Sequence, residues 1–357
     1  MYNLTLSSGF LCFSRRSLPL SHRLGLRTGA VDDRWKYQSA PAASAAVRFF
    51  GNESLRPSRR AMLYAIGDDR KSLAGLAQMK VDCAVMECED GVALDNKAEA
   101  REIVWQTLDS VLMPKVRDVA VRINSMDSGY GEEDLAVILQ AKRLPDTIVL
   151  PKFDSAESIC WLVHHLKLSL ADRQLTKALR ILVYAETAVS MIRLPESISE
   201  AQDILRSEPF TLDAIVFGVE DYCSDIGATR STEGLEVLYA RQRVVTVAKA
   251  FGLQAIDMIP LDVEDDEAVR RSSEEGARMG FTGRQVLQPS LVDIIQSAYG
   301  PHPDRIKWAR ELLAAFEDST KKGQAPEAFI FQGRRVHKPF LLQAMNILEL
   351  AKMDKAM

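Results

Sequence analysis

AIVFGVED, residues 214–221, decides the fold, because it is a short apolar run that ends in acidic residues. Eight runs of this kind, rich in Val and Ile, alternate along the chain with segments long enough to form helices. Near-continuous apolar strands that alternate with helices are typical of a parallel sheet covered on both faces. The runs are Ala61–Ile66, Cys83–Cys88, Val119–Ile123, Thr147–Leu150, Ile181–Ala185, Ala214–Gly218, Leu253–Ile259 and Gly280–Leu287.

The number of strand–helix units predicts the topology. Eight units in about 240 residues match the size of a (β/α)₈ TIM barrel. An open doubly wound α/β sheet is the alternative, but it usually carries a Gly-rich phosphate turn after its first strand. Neither GxGxxG nor GxxxxGK[ST] occurs in this sequence. We therefore predict an α/β fold with a TIM barrel over residues 58–300. One long helix inside it is predicted at Ser231–Phe251.

The pattern changes after residue 300. Amphipathic helices are predicted at Arg305–Phe316 and Pro339–Met353, and no further apolar run resembles a barrel strand. Residues 301–357 are therefore predicted to form a C-terminal helical arm. Such an arm either caps the barrel or reaches a neighbouring subunit.

The first 57 residues differ in charge from the rest of the chain. They contain eight Lys or Arg and three Asp or Glu, a net charge of +5, whereas the whole chain carries −4. No acidic residue precedes Asp32. An acid-poor leader rich in Arg and Ser is typical of a mitochondrial transit peptide, which predicts a location in the mitochondrial matrix. A disordered tail is one alternative. A secretory signal at Leu4–Phe13 is another, although its basic residues follow the apolar stretch.

Composition limits the class of partner. The chain is 47% hydrophobic and 26% charged, which is ordinary for a soluble globular enzyme. It has no apolar run long enough to span a bilayer. Beyond residue 57 the net charge is −9, which argues against nucleic acid as a partner. We therefore predict a small-molecule substrate, with neither nucleic acid nor membrane as a partner.

Charged residues follow several of the apolar runs. Carboxylates come from Glu87–Asp90, Glu186 and Asp221, and cations from Arg122 and Lys152. In a barrel the carboxyl ends of the strands form one face, where such enzymes place their chemistry. Burying several carboxylates together is costly unless a cation pairs with them. Oxygen ligands without histidine indicate Mg²⁺, with Mn²⁺ as the alternative.

A simpler reading of each acid is that it caps the next helix. Asp68, Asp69 and Asp90 fit that reading as well as they fit a functional one. Glu186 fits it less well, because Thr187 follows and can cap the helix instead.

Six segments carry an ordered set of motifs: VDCAVMECEDGVALDNKAEAR (81–101), VRIN (121–124), LPK (150–152), AET (185–187), DAIVFGVEDY…IGAT (213–229) and MGFTGRQVLQP (279–289). Together they resemble the HpcH/HpaI aldolase and citrate lyase β-subunit family. The resemblance extends from about residue 59 to the C-terminus with nearly the family's spacing.

This resemblance implies a fold and a reaction. Members are Mg²⁺-dependent (β/α)₈ barrels, usually oligomeric, and a homo-oligomer such as a trimer is expected. The implied reaction is reversible cleavage of a 3-hydroxyacyl-CoA, such as citramalyl-CoA, to pyruvate and acetyl-CoA. Two alternatives stay open. One is a weakened paralogue that binds metal and acyl-CoA, and the other is an acyl-CoA thioesterase.

The resemblance also assigns residues. It implies that Glu186 and Asp221 are the metal ligands. Arg122 is implied as a catalytic residue that binds the carboxylate or oxygen of the substrate. The other implied contacts to the CoA-bearing substrate are Tyr64, Lys71, Leu287 and Gln288.

The sequence departs from the family pattern at several of these positions. Glu87 stands where the family has Asp, and Gln288 stands where it has His. In the family's mitochondrial lyases, an Asp of the arm is thought to act as acid/base in a neighbouring chain, and His337 occupies that position here. Histidine can act as a base near neutral pH, but it carries the opposite charge when protonated. We predict His337 as a catalytic residue, with a weakened lyase as the alternative.

Overall fold

A closed barrel of eight parallel strands forms the centre of the chain. The computed structural model describes residues 58–322 and 329–355. Each strand pairs in parallel with the next, and the first strand closes the barrel by pairing with the eighth. The predicted barrel fold is confirmed. The strands are β1 (Ala61–Ile66), β2 (Val81–Glu87), β3 (Val116–Arg122), β4 (Thr147–Leu150), β5 (Leu179–Ala185), β6 (Phe210–Phe217), β7 (Gln254–Asp257) and β8 (Gly283–Val286).

Helices follow every strand of the barrel. Two α-helices lie between β6 and β7, and each of the other strands is followed by one α-helix of the barrel. The helices are α1 (Arg70–Gly75), α2 (Lys97–Ser110), α3 (Gly131–Ile138), α4 (Glu157–Ser169), α5 (Ala188–Leu205), α6 (Val219–Ile226), α7 (Leu238–Ala250), α8 (Asp266–Met279) and α9 (Val292–Tyr299).

The strands are buried on both faces, which explains their continuous apolar runs. In β5, Ile181 and Val183 belong to the large cluster of buried residues that also contains helix side chains. Leu182 and Tyr184 belong to a separate buried cluster made only of strand residues, which we call the inner core. Because side chains alternate along a strand, Glu186 continues the inward face of Tyr184 beyond the end of β5.

The predicted helix at Ser231–Phe251 is wrong at its start. Gly234 adopts a left-handed backbone conformation with φ of +63°, and a short 3₁₀ turn precedes α7. The Glu236 carboxylate accepts hydrogen bonds from the backbone N–H and the hydroxyl of Ser231, at 2.7 and 2.8 Å. These contacts hold a turn where helical periodicity alone had indicated one continuous helix.

A buried charge cluster lies at the amino-terminal end of the barrel. Arg59 binds Asp118 through Nε and Asp213 through Nη1, both at 2.5 Å. Arg180 and Thr147 donate further hydrogen bonds to Asp118 at 2.7 Å. Burial raises the pKa of Asp118, but the two arginines outweigh it and lower the pKa to about 2. The barrel is therefore closed on this side by ion pairs.

The C-terminal arm has a core of its own. It consists of α10 (Pro303–Lys321), a hairpin of β9 (Ile330–Phe331) and β10 (Arg334–Arg335), and α11 (Lys338–Lys355). The predicted C-terminal helices are confirmed, while the boundary at residue 300 stays a prediction. The arm's core contains Ala309, Leu312, Phe329, Val336 and Ala344.

The predicted transit peptide at 1–57 lies outside the described residues. No helix in the described ranges is long and apolar enough to cross a membrane.

Candidate active site at the carboxyl mouth of the barrel

The charged residues predicted from the strand ends lie at the carboxyl end of the barrel, which we call the mouth. Glu87 and Arg122 are the last residues of β2 and β3, and Glu186 directly follows β5. Asp221 lies in the first turn of α6, directly after β6. The fold therefore brings residues from four strand ends to one face of the barrel.

Arg122 is held on several sides. Its Nε donates to a Glu87 carboxylate oxygen, and its Nη1 lies 3.2 Å from Glu89 Oε2. Its guanidinium carbon lies 5.5 Å from the ring centroid of Tyr64 and 5.2 Å from that of Tyr184. Burial alone lowers the pKa of Arg122, but the surrounding carboxylates raise it well above its usual value. The cation is thus permanent and fixed in orientation, which suits recognition of a carboxylate.

Glu186 is a buried acid in a tight position. It is 3% exposed, and its Oε1 accepts a hydrogen bond of 2.6 Å from the backbone N–H of Lys152. Lys152 makes this contact from a left-handed backbone conformation with φ of +52°. A Cβ atom at Gly218 would lie 2.3 Å from Glu186 Oε2, so only glycine fits beside the carboxylate. Burial, with Glu89 and Asp221 nearby, raises the pKa of Glu186 to about 8.

Asp221 is less buried than Glu186. Burial and the nearby Asp90 raise the pKa of Asp221, whereas Lys152 and Arg122 act in the opposite direction. Asp221 in turn contributes to the raised pKa of Glu186. The two acids therefore share one electrostatic environment in which a further positive charge is favourable.

This donor set fits Mg²⁺. In the two ranges that the structure describes, no group of three or more His, Cys, Asp or Glu is arranged to hold a metal ion. Mg²⁺ does not require such a group, because it often takes one or two protein carboxylates and completes its shell with water or substrate oxygens. Glu186 and Asp221 offer carboxylate oxygens of the kind Mg²⁺ prefers, and their charged forms are disfavoured without a cation.

Glu89 is a site residue that the sequence analysis did not single out. It is 4% exposed, and its Oε1 lies 3.4 Å from Lys152 Nζ. Its Oε2 is buried and forms an ion pair with Arg122 Nη1 at 3.2 Å, but no hydrogen bond within the described structure. Burial raises the pKa of Glu89 to about 7. The acidic run that follows β2 was the available signal, but it did not show which of its acids point inward.

Tyr64 lies beneath Arg122, inside the barrel. It is 8% exposed and belongs to the inner core. Its hydroxyl is hydrogen-bonded to that of Tyr184, which donates to Gln285 Oε1 at 2.7 Å. Tyr184 was missed because an aromatic residue within a strand reads as core. A polar residue in a four-residue buried strand was a signal for Gln285.

The other predicted substrate contacts lie further out. Lys71 is exposed on α1, and its backbone N–H donates to Asp69, the N-cap of that helix. The capping reading of Asp69 is therefore confirmed. Leu287 is 57% exposed just after β8, and Gln288 is the N-cap of the 3₁₀ turn that follows at Pro289–Leu291. None of these three is joined to the Arg122 cluster by a hydrogen bond in the described structure.

His337 lies in the arm. Its side chain is exposed, and its backbone carbonyl accepts a hydrogen bond of 2.9 Å from Phe340 N–H at the start of α11. No hydrogen bond or ion pair in the described ranges joins its imidazole to the mouth. The predicted capping role of Thr187 is confirmed, because its hydroxyl accepts from Ser190 N–H in a capping box. Glu186 is therefore not needed as a helix cap.

Sequence comparison identifies related proteins. Residues 60–289 match the profile of the HpcH/HpaI aldolase/citrate lyase family. The human protein named mitochondrial citramalyl-CoA lyase is 42% identical over 293 residues, which is 82% of this chain and 85% of that protein. The rat protein of the same name is also 42% identical over 293 residues, covering 82% and 86% of the two chains.

Structural comparison points in the same direction. Protein CitE from Mycobacterium tuberculosis, solved in complex with magnesium, acetoacetate and coenzyme A, superimposes with a TM-score of 0.65. The two sequences are 26% identical, and the match covers 84% of this chain and all of the other.

Proposed function

The chain belongs to the HpcH/HpaI aldolase/citrate lyase family, and we propose that it is a Mg²⁺-dependent carbon–carbon lyase acting on a 3-hydroxyacyl-CoA such as citramalyl-CoA. The products are then pyruvate and acetyl-CoA. The observation that supports this most strongly is that Arg122, which is fixed in orientation by Glu87, lies at the same barrel mouth as the carboxylates of Glu186 and Asp221. The names of the human and rat relatives favour citramalyl-CoA among the candidate substrates.

We assign Glu186 and Asp221 as the residues that hold Mg²⁺, with Mn²⁺ as the alternative metal. When bound, the metal supplies Lewis-acid polarisation of oxygens on the pyruvyl part of the substrate. Arg122 binds and neutralises the substrate carboxylate. Glu87 and Glu89 orient the guanidinium so that it meets the ligand without reorganisation.

The proposed cleavage moves one proton and one electron pair. A base removes the proton of the substrate hydroxyl, and the oxygen forms the ketone of pyruvate as the C–C bond breaks. The bond's electrons pass to the carbon next to the thioester, which becomes the acetyl-CoA enolate and then takes up a proton. We assign the base to His337, brought to the mouth by the arm of a neighbouring subunit. This assignment requires a homo-oligomer, and a trimer is expected.

The remaining assignments concern the CoA portion and the location. Lys71 presents an exposed ammonium suited to the phosphates of CoA, while Leu287 and Gln288 offer backbone and side-chain contacts beyond β8. Tyr64 completes the substrate contacts from below. The mammalian relatives are named mitochondrial, which supports a mitochondrial location for this protein, with the matrix as the compartment.

One assay tests the proposal. Purified protein is incubated with citramalyl-CoA or malyl-CoA, with Mg²⁺ or with EDTA, and the products are identified. We expect pyruvate and acetyl-CoA from citramalyl-CoA, and none with EDTA. Release of free CoA thiol without a 2-oxo acid would indicate a thioesterase. Tight binding without turnover would indicate a weakened paralogue, and restored activity in His337→Asp would locate the cause in the arm.

A further inference from the structure

Three buried side chains form a hydrogen-bonded chain across the inside of the barrel. Tyr64 from β1 contacts Tyr184 from β5, which contacts Gln285 from β8. All three are buried, and the Arg122 guanidinium lies over both tyrosine rings. These three side chains therefore form the floor of the mouth, directly beneath Arg122, the residue assigned to bind the ligand carboxylate.

Gln285 fixes the direction of this chain. Its Nε2 donates to the backbone carbonyls of Phe217 and Asp257, at 2.9 and 3.2 Å. Because carbonyl oxygens only accept, the amide nitrogen must face them and Oε1 must face Tyr184. Oε1 likewise only accepts, so the single hydroxyl proton of Tyr184 is committed to Gln285 at 2.7 Å.

The same argument determines where the hydroxyl proton of Tyr64 points. Since Tyr184 has no second proton to give, Tyr64 must donate in the hydrogen bond between the two hydroxyls. Burial, together with the neighbouring Tyr184, raises the pKa of Tyr64 well above its usual value, so the phenol keeps its proton. Towards any ligand, the Tyr64 oxygen can then only accept a hydrogen bond.

We propose that Tyr64 makes the site select a 2-hydroxy carboxylate over the corresponding 2-oxo carboxylate. In the bound substrate its oxygen accepts a hydrogen bond from the hydroxyl on the carbon beside the carboxylate that Arg122 binds, and that hydroxyl must turn from Tyr64 to the base before its proton is removed. It offers no donor to a ketone oxygen at the same place. Tyr184 and Gln285 are positioning residues that act through Tyr64. This inference rests on the proposed function, in which the hydroxyl is present in the substrate and absent from the oxo-acid product.

The size of the effect follows from ordinary hydrogen bonding. One neutral hydrogen bond corresponds to roughly three- to ten-fold in affinity. Selection of that size holds the hydroxy substrate in the mouth and favours departure of the oxo acid after cleavage. It is too small to act as an absolute filter, so both forms bind.

Pyruvate and lactate provide the test, because they share the carboxylate and differ in the oxo or hydroxyl group. Calorimetric titration in the presence of Mg²⁺ gives dissociation constants for pyruvate and for each lactate enantiomer. We expect the wild type to bind one lactate enantiomer more tightly than pyruvate. Tyr184→Phe keeps the aromatic ring beneath the Arg122 guanidinium but removes the oxygen that accepts the Tyr64 proton. The Tyr64 hydroxyl then becomes free to donate a hydrogen bond to the ligand. We expect the ratio of the two constants to shift roughly ten-fold towards pyruvate.

Tyr64→Phe and the double variant are the matched controls. Tyr64→Phe removes donor and acceptor together, so it should weaken lactate binding relative to pyruvate binding. Adding Tyr184→Phe to it should produce no further shift, because the shift passes through Tyr64. Thermal unfolding of each variant verifies that the barrel is folded.

Three results would overturn the inference. They are an unchanged ratio in folded Tyr184→Phe, a wild type that binds pyruvate at least as tightly as either lactate enantiomer, and a wild type that binds neither ligand. The measurement needs no turnover, so it is independent of the lyase assay. A ratio shift without any cleavage of acyl-CoA would refute the proposed lyase and leave the role of Tyr64 intact.

Discussion

At the scale of single residues, Asp221 allows the cleanest test of the proposed metal site. It lies in the first turn of α6 and is only half-buried, so the barrel core does not depend on it. We expect Asp221→Ala to abolish measurable Mg²⁺ binding by calorimetry and to change the unfolding free energy by about 1 kcal/mol or less. Glu200→Gln, an exposed acid on α5, is the control and should bind normally. Unchanged Mg²⁺ binding in Asp221→Ala would remove this residue from the site.

Glu87 is the residue that departs from the family's Asp, and its contacts suggest why its charge matters. It is 2% exposed, pairs with Arg122 Nε, and accepts a hydrogen bond of 2.5 Å from Glu89 N–H. Glu87→Gln leaves a buried arginine without one of its charge partners, so we expect a loss of about 3 kcal/mol in unfolding free energy. Pyruvate should also bind less tightly, because Arg122 loses its fixed orientation.

Urea unfolding and pyruvate titration check both effects of Glu87→Gln. Glu87→Asp keeps the charge but shortens the side chain by one methylene, and should fall between the wild type and Glu87→Gln in both measurements. Wild-type pyruvate affinity in Glu87→Gln would mean that Glu89 and the tyrosine rings suffice to orient Arg122.

At the scale of elements, the ends of β5 and β6 are packed so closely that a single methyl group should disturb the proposed metal site. A Cβ at Gly218 would lie 2.3 Å from Glu186 Oε2 and 2.6 Å from Glu186 Cβ. Because neither the strand end nor the buried carboxylate has room to move, we expect Gly218→Ala to displace Glu186 and weaken Mg²⁺ binding at least ten-fold, on the order seen for disturbed ligand orientation. Gly75→Ala has open space around it and is the matched control. Equal Mg²⁺ affinity in the two variants would show that Glu186 is not a ligand.

The elements also show what the sequence could predict. The eight strands were predictable because strands buried on both faces leave continuous apolar runs, and charged residues such as Arg122 mark their ends. The hydrogen bonds in the floor of the mouth were not predictable, although the family resemblance did name Tyr64. Tyr64, Tyr184 and Gln285 are separated by 120 and 101 positions, and periodicity contains no information about partners across a barrel. Helix α7 starts further along the chain than predicted, because the left-handed Gly234 and the hydrogen bond from Ser231 to Glu236 override the local helical preference.

At the scale of the whole molecule, the charge cluster around Asp118 should make stability depend on acidity. The Asp118 pKa is about 2 in the folded protein, below the ordinary value of 3.8. A depressed pKa contributes stability that is present above the unfolded value and is lost as pH falls from about 4 to about 2. The shift corresponds to about 2 kcal/mol. Urea unfolding of wild type and Asp118→Asn should differ at pH 7, with the difference shrinking below pH 4. A constant difference across this range would contradict the assignment.

Assembly decides whether the arm takes part in the reaction. His337 is exposed and lies at the start of α11, in an arm whose core is separate from that of the barrel. If it acts in a neighbouring subunit, Arg122→Ala and His337→Ala should each be inactive alone, while mixed oligomers contain some complete sites. Each complete site needs an intact Arg122 in one chain and an intact His337 in its neighbour. Random exchange of equal amounts should therefore restore about one quarter of wild-type lyase activity in a closed homo-oligomer.

The mixing experiment separates the possible arrangements of the arm. Both variants are unfolded and refolded together, and the separately refolded variants, combined afterwards, are the control. Activity in the co-refolded sample alone requires that subunits share the site. If the His337→Ala variant is active by itself, the arm's histidine is not the base, and the proton must pass to a group within the mouth. If neither sample recovers although both variants are folded and oligomeric, His337 serves its own barrel, because a site completed within one chain cannot be repaired by a neighbour.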